Sequence, residues 1–166
     1  IMKKGINVLS LFDGMSCGQI ALERAGINVN KYFASEIKET AIKVTKDNYP
    51  GTVHVGNVEF VTKEMLNTKI DLLIGGSPCK GISGMNQNQD GLKHVESRLF
   101  YEYVRLLNEL RLVNPNIKFL LENTHGKRES TREISKILGV EPININSSLV
   151  SAQNRPRYYW TNIIDN

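Results

Sequence analysis

The chain has 166 residues, 40% hydrophobic and 23% charged, with 13 Gly and 5 Pro, the balance of one globular domain able to bury about 70% of its unfolded surface. That composition excludes a collagen-like, low-complexity or disulfide-stapled chain, and no stretch approaches the ~20 apolar residues of a membrane span. Lys and Arg total 21 against 17 Asp and Glu, and the resulting +4 charge and pI near 9.1 admit a polyanionic partner without requiring one.

Lys3 and Lys4 precede an apolar run, but it stops at Asp13-Gly14 without a small-residue cleavage site and so does not read as a secretion signal. The expectation is an intracellular protein with Cys17 and Cys79 as free thiols. The first strand is expected over 6–12. Ser16 reads as the cap of a helix reaching residue 25, with Gly26 as its stop. A strand over 31–35 leads to a helix over 38–48, ended by Pro50. A short strand over 52–55 and a weak helix over 62–67 follow. The apolar run 70–74 has the pattern of a buried central strand.

Residues 75–96 are rich in Gly, Ser, Asn and Gln and long for a structureless connection, so they read as a lid. A strong helix is expected over 97–112, with Leu99, Phe100, Tyr103, Leu106, Leu107 and Leu110 on one face. A strand over 117–121, a helix over 129–138 closed by Gly139, and strands over 142–145 and 158–163 complete the chain. No repeat or linker divides it, so residues 1–166 read as a single domain. Strand–helix alternation with buried strands points to an α/β fold with a doubly wound, mostly parallel sheet. Such sheets bind ligands beyond the carboxyl ends of their strands.

The least ordinary residues lie at those ends. Gly14 and Gly18 follow the first strand, and the helix after them turns its positive end towards the same place. The spacing is neither GxGxxG nor the phosphate-cradling GxxxxGK[ST]. Glu36 ends the second strand, where an acid accepts hydrogen bonds from ribose hydroxyls. Together they suggest an adenosine-bearing cofactor without a pyrophosphate; a glycine-rich turn beside a surface glutamate is the alternative reading. The fourth strand runs into Gly75-Gly76-Ser77-Pro78-Cys79-Lys80-Gly81. Backbone N–H groups and Lys80 would favour a thiolate there, while the bland reading is a free cysteine in a structural turn. Glu122-Asn123 ends the fifth strand, and a carboxyl so placed can serve as a proton donor once desolvated. In Gln153-Asn154-Arg155-Pro156-Arg157 the two arginines project from one face of an extended segment, suited to a carbonyl or phosphate oxygen. His54, His94 and His125 are scattered, and no metal set is read.

These four groups, in this order, resemble the DNA cytosine carbon-5 methyltransferases. The glycine loop is similar to their S-adenosylmethionine motif, Ser77-Pro78-Cys79 with Gly81 and Ser83 to their nucleophile motif, Glu122-Asn123 to Glu-Asn-Val, and Gln153-x-Arg155-x-Arg157 to Gln-x-Arg-x-Arg. The likeness runs from Gly5 to Ile164. Leu11-Phe12-Asp13-Gly14, Ala34-Ser35-Glu36, Ile74-Gly75-Gly76-Ser77-Pro78-Cys79 and Ser97-Arg98-Leu99-Phe100 look most like the vertebrate de novo branch. Lys80 departs from the usual Gln or Asn, Thr124 from Val, and Asn57 from an Asp that accepts from the adenine amino group, although its carbonyl can still accept.

The resemblance implies a Rossmann-like methyltransferase sheet of about seven strands. It implies a cofactor site for S-adenosylmethionine formed by Phe12, Asp13, Gly14, Ser16, Gly18, Glu36, Ile37, Asn57, Val58 and Pro78, with no metal. Cys79 would add to carbon 6 of a flipped cytosine, Glu122 would hold its N3 and amino edge, and Arg157 its O2. Arg155 would support Cys79 and Glu122. Double-stranded DNA is the implied partner. The family's target-recognition region and closing segment leave no trace in this sequence, so a second subunit or C-terminal half is expected to supply recognition. A non-catalytic regulatory paralogue and a tRNA cytosine-5 methyltransferase are the alternatives; the presence of both Cys79 and Glu122 weighs against the first.

Overall fold

Short runs of β-branched and aromatic residues lie side by side as seven strands of one sheet: β1 (Ile6–Leu11), β2 (Val29–Ser35), β3 (Val53–His54), β4 (Leu72–Gly76), β5 (Lys118–Asn123), β6 (Ile143–Asn146) and β7 (Pro156–Thr161). The computed structural model describes residues 5–76, 98–126 and 128–164. The strand order is β3-β2-β1-β4-β5-β7-β6. Pairings from β3 across to β5 are parallel, and β7 runs antiparallel between β5 and β6. The chain winds outward from β1 to β3 and returns to β4 on the other side of β1. The carboxyl ends of β1 and β4 therefore flank the point where the winding reverses, the usual place for a ligand.

The helices are α1 (Cys17–Arg24), α2 (Glu39–Asn48), α3 (Lys63–Leu66), α4 (Arg98–Val113) and α5 (Arg128–Leu138). Helix α4 buries Phe100, Tyr103, Leu106, Leu107 and Leu110, the stripe expected from its periodicity. They join Leu9, Leu11, Phe33, Leu73, Phe119 and Leu121 in the larger core, where a fully buried side chain of this kind contributes about 1.5–3 kcal/mol. Strand side chains alternate, so Val8, Tyr32, Ala34 and Leu72 face the other way and meet Leu22 of α1. On β5 the alternation is one-sided: Phe119 and Leu121 are sealed, whereas Leu120 and Glu122 on the opposite face keep part of their surface.

Several bounds differ from the expectation. Strand β4 starts two residues late and continues through Gly75-Gly76, because a glycine there accommodates close neighbours. A Cβ on Gly75 would lie 3.1 Å from both Leu11 O and the Tyr103 ring. Strand β7 starts two residues early at Pro156, a place proline tolerates because the first residue of a strand need not donate. The helix expected over 62–67 shrinks to a single turn, ended by Asn67 in a left-handed conformation (φ 45°). Short 3-10 turns at Val58–Phe60 and Ser147–Leu149 were not foreseen. Ser77, Pro78, Cys79, Lys80, Gly81, Ser83 and the lid expected up to residue 96 lie outside the described residues.

Candidate functional site

The loop after β1 changes hand three times, with positive φ at Phe12 (56°), Gly14 (60°) and Ser16 (60°). Such backbone is uncommon at non-glycine residues and persists only where its surroundings enforce it. Here a polar network does so. The Asp13 N–H donates to Ser35 O at 3.1 Å, the Tyr32 hydroxyl donates to Asp13 Oδ1 at 2.7 Å, and the Ser16 hydroxyl donates to the other carboxylate oxygen. From α2, the buried Thr45 hydroxyl reaches Ser16 Oγ at 3.2 Å. Burial, then Asp13, push the Tyr32 phenol far above its ordinary value, so it remains a neutral donor. Ser16 sits at the cap position of α1 but makes no capping hydrogen bond, because its side chain is spent on Asp13. Asp13 and Ser16 therefore contribute the shape of the loop, and Phe12 packs against the core.

The two glycines of this loop part company. A Cβ on Gly14 would meet nothing within 4 Å, which leaves the open space a ligand needs. One on Gly18 would lie 2.5 Å from Ile74 Cδ1 and 2.7 Å from Tyr32 Oη. Gly18 thus lets α1 approach the sheet closely, a packing role that the sequence reading did not foresee. Glu36 faces Gly14 from the end of β2. Its Oε2 accepts from the Gly14 N–H at 2.8 Å, and Oε1 accepts from the Ile37 and Lys38 N–H groups at 2.9 Å each. A carboxylate has about four acceptor positions, so about one remains for a ribose hydroxyl. Ile37 beside it is 71% exposed, an apolar surface at the mouth of the site.

The third contribution is the turn after β3. Asn57 Oδ1 accepts from the Glu59 N–H at 3.1 Å and caps the 3-10 turn, while the Val58 side chain lies in the core. What Val58 can offer a ligand is its main chain. Ser35 Oγ donates to Gly56 O at 2.8 Å, tying this turn to the strand that carries Glu36. From α4, Arg105 donates to Val58 O and Val61 O. Tyr32, Ser35, Thr45 and Arg105 all escaped the sequence reading, because each acts on a backbone or side chain distant in the chain.

At the ends of β4, β5 and β7, the side chains of Glu122, Arg155 and Arg157 converge. Glu122 stands opposite Tyr159 in the β5–β7 register. Arg157 Nε lies 2.9 Å from Glu122 Oε1, a close ion pair whose N–H is not aligned for a hydrogen bond. Arg155 Nη2 lies 3.9 Å from the same oxygen. Arg157 is the more buried of the two, its side chain 18% exposed against 49% for Arg155. Burial, then Glu122, raise the Tyr159 phenol above its usual range. Asn123 is buried and its Oδ1 accepts from the Thr124 N–H at 2.6 Å, closing the turn after β5. A Cβ on Gly76 would lie 2.9 Å from Glu122 Oε2, so this glycine makes room for the carboxylate, a role the sequence reading missed.

A sequence profile of the C-5 cytosine-specific DNA methylases matches residues 6–140. The chain is 37% identical over 123 residues to the rice (Oryza sativa subsp. japonica) DNA (cytosine-5)-methyltransferase DRM2, a match covering 67% of this chain and 21% of that protein. It is 30% identical over 164 residues to the orphan methyltransferase M.SPRI of Bacillus phage SPR, covering 93% of this chain and 37% of the phage protein. The chain thus spans between a fifth and two-fifths of the length of these relatives. A mutant DNMT2 of Spodoptera frugiperda superposes with a TM-score of 0.70 over 95% of this chain and 49% of its own, at 23% identity. The methyltransferase EhMeth of Entamoeba histolytica gives 0.69 over 96% of this chain and 53% of its own, also at 23% identity. Both agree in overall fold with the Rossmann-like methyltransferase sheet that the resemblance implied. With the profile spanning residues 6–140, most of the chain, this protein belongs to the C-5 cytosine-specific DNA methylase family.

Proposed function

We propose that this chain is the catalytic part of an enzyme that methylates carbon 5 of cytosine in double-stranded DNA. The observation that carries the reading is the cluster of Glu122, Arg155 and Arg157 beside Gly76, from which the chain passes directly into Ser77-Pro78-Cys79. The loop after β1 suits an adenosine-bearing cofactor: open space at Gly14, an acceptor position left on Glu36, and the exposed Ile37. Gly14, Glu36, Ile37 and the Asn57–Val58 turn would hold S-adenosylmethionine. When bound, it supplies an electrophilic methyl group on a sulfonium sulfur.

The chain's own residues do the rest. Carbon 5 of cytosine is a weak nucleophile, and addition of the Cys79 thiolate to carbon 6 makes it a strong one. Glu122 holds the N3 and amino edge of the base and keeps a proton on N3 while the thiolate adds. Arg157, paired with Glu122 at 2.9 Å, steadies that carboxyl and holds the O2 oxygen, and Arg155 adds support at 3.9 Å from the outer side. Carbon 5 so activated takes the methyl group from the sulfonium sulfur. With the methyl in place, the carbon-5 proton passes to solvent while the carbon 6–sulfur bond breaks, which restores the ring and the Cys79 thiolate. The reacting atoms are inaccessible in a stacked duplex, so the base is flipped out at a cost of a few kcal/mol. The fraction of each relative that the chain spans supports a further subunit or segment that supplies sequence recognition.

Incubation with DNA carrying 5-fluorocytosine and S-adenosylmethionine tests this, because the fluorine blocks release of the adduct. A denaturation-resistant protein–DNA complex is expected with the native chain and none with Cys79→Ser. Glu122→Gln should slow its formation about 100-fold or more. A complex that survives Cys79→Ser, or one formed on tRNA in preference to DNA, would overturn the assignment.

A further inference from the structure

We propose that Arg105 is a positioning residue for the nucleoside end of the cofactor site, acting through the turn that carries Asn57 and Val58. The inference rests on the reading of that turn as part of the S-adenosylmethionine site. Arg105 lies in the middle of α4, and its guanidinium crosses to the turn in a fixed fork. Nη2 donates to Val58 O at 3.2 Å and to Val61 O at 3.0 Å. On the other side of the fork, Nε donates to Glu102 at 2.8 Å and Nη1 to Glu109 at 2.8 Å. These acids stand three residues before and four after Arg105 on the same helix, so they fix its orientation from within α4.

The turn needs such a partner. Val58 O already accepts from the Val61 N–H at 3.2 Å, and Arg105 takes a second lone pair of that oxygen. Val58 and Val61 are 4% and 0% exposed as whole residues, so their carbonyls are shielded from water, where an unpaired acceptor is costly. A 3-10 turn of three residues has few hydrogen bonds of its own to hold its place. Its position is therefore set from two sides, by Ser35 on Gly56 and by Arg105 on Val58 and Val61. Ser35 immediately precedes Glu36, so the two anchors together fix how Asn57 stands relative to the candidate ribose acceptor. Arg98 also reaches the turn, at 3.0 Å from Glu59, but that pair is 66% and 36% exposed and holds little. A lysine at 105 would carry the charge without the fork, and could not serve two carbonyls and two carboxylates at once.

Calorimetric binding of S-adenosylhomocysteine to the native chain, Arg105→Met and Arg105→Lys, with amide hydrogen exchange on the same proteins, tests the proposal. Arg105→Met should weaken binding about tenfold and speed exchange at the Val61 amide by a similar factor, with exchange along β1 unchanged. Arg105→Lys keeps charge beside Glu102 and Glu109, so it provides the comparison should the methionine variant not fold, and it should bind as weakly. A folded variant that binds within twofold of the native chain, or whose Val61 amide exchanges at the native rate, overturns the proposal. If the native chain takes up no S-adenosylhomocysteine at millimolar concentration, the reading of the turn as a nucleoside site falls, and this role for Arg105 falls with it.

Discussion

His54 shows how a single side chain can make the fold respond to acid. It pairs with Ala34 across β2 and β3, and both of its ring nitrogens are out of solvent without a hydrogen-bond partner. Burial, then the nearby Lys46, lower its pKa from the ordinary 6.5, against the opposing pull of Asp13. Well above pH 6.5 the ring is neutral whether the chain is folded or not, so its titration makes no difference to stability there. As the pH falls below that value the unfolded chain takes up the proton first, and stability is lost until the folded ring is protonated too. Thermal midpoints measured from pH 8 to pH 5 should fall more steeply for the native protein than for His54→Leu. Parallel curves would mean that the imidazole does not contribute. None of this was visible in the sequence, where His54 is one scattered histidine of three. The position of Glu36 at the end of an apolar strand was legible there, but its three bonds to the Gly14, Ile37 and Lys38 amides were not, because they depend on how the loop after β1 folds back.

Among the elements, α1 depends on a contact that only glycine permits. Gly18→Ala would drive a methyl group into Ile74 Cδ1 and the Tyr32 hydroxyl. It should destabilise the protein by about 1–3 kcal/mol in urea unfolding, as overpacking does in other cores. An unchanged midpoint would show that α1 shifts outward at no cost. The same contact explains what could and could not be read beforehand. The apolar stripe of α4 was legible because every third or fourth residue is large and hydrophobic, and so were the strands before Asp13, Glu36 and Gly75. The charges of α4 were not. Glu102, Arg105 and Glu109 have the spacing of an ordinary solvated face, yet the arginine reaches carbonyls more than forty positions earlier in the chain. Spacing within one element does not carry that information. It also did not predict that Gly18 serves packing and Gly14 openness, since both are glycines in one loop.

For the whole molecule, the +4 charge and the proposed one-sided catalytic edge predict DNA binding that is weak and indifferent to sequence. Readout of sequence needs side chains at base edges, which the proposed site residues do not provide. Affinity for a short duplex should therefore fall about tenfold or more between 50 and 200 mM salt, equally for unrelated sequences. A marked preference for one duplex in fluorescence anisotropy would show that recognition already resides in these residues. The place of β7 between β5 and β6 adds a constraint of order in time. During synthesis β5 emerges first, and β6 cannot shield it, because the neighbouring slot is reserved for a strand not yet made. Arg157 arrives on that same late strand and meets Glu122 as the gap closes. Closure of the sheet and charge-pairing of the proposed catalytic carboxylate are thus one event, and a nascent chain halted before Pro156 would expose an unguarded strand edge prone to association.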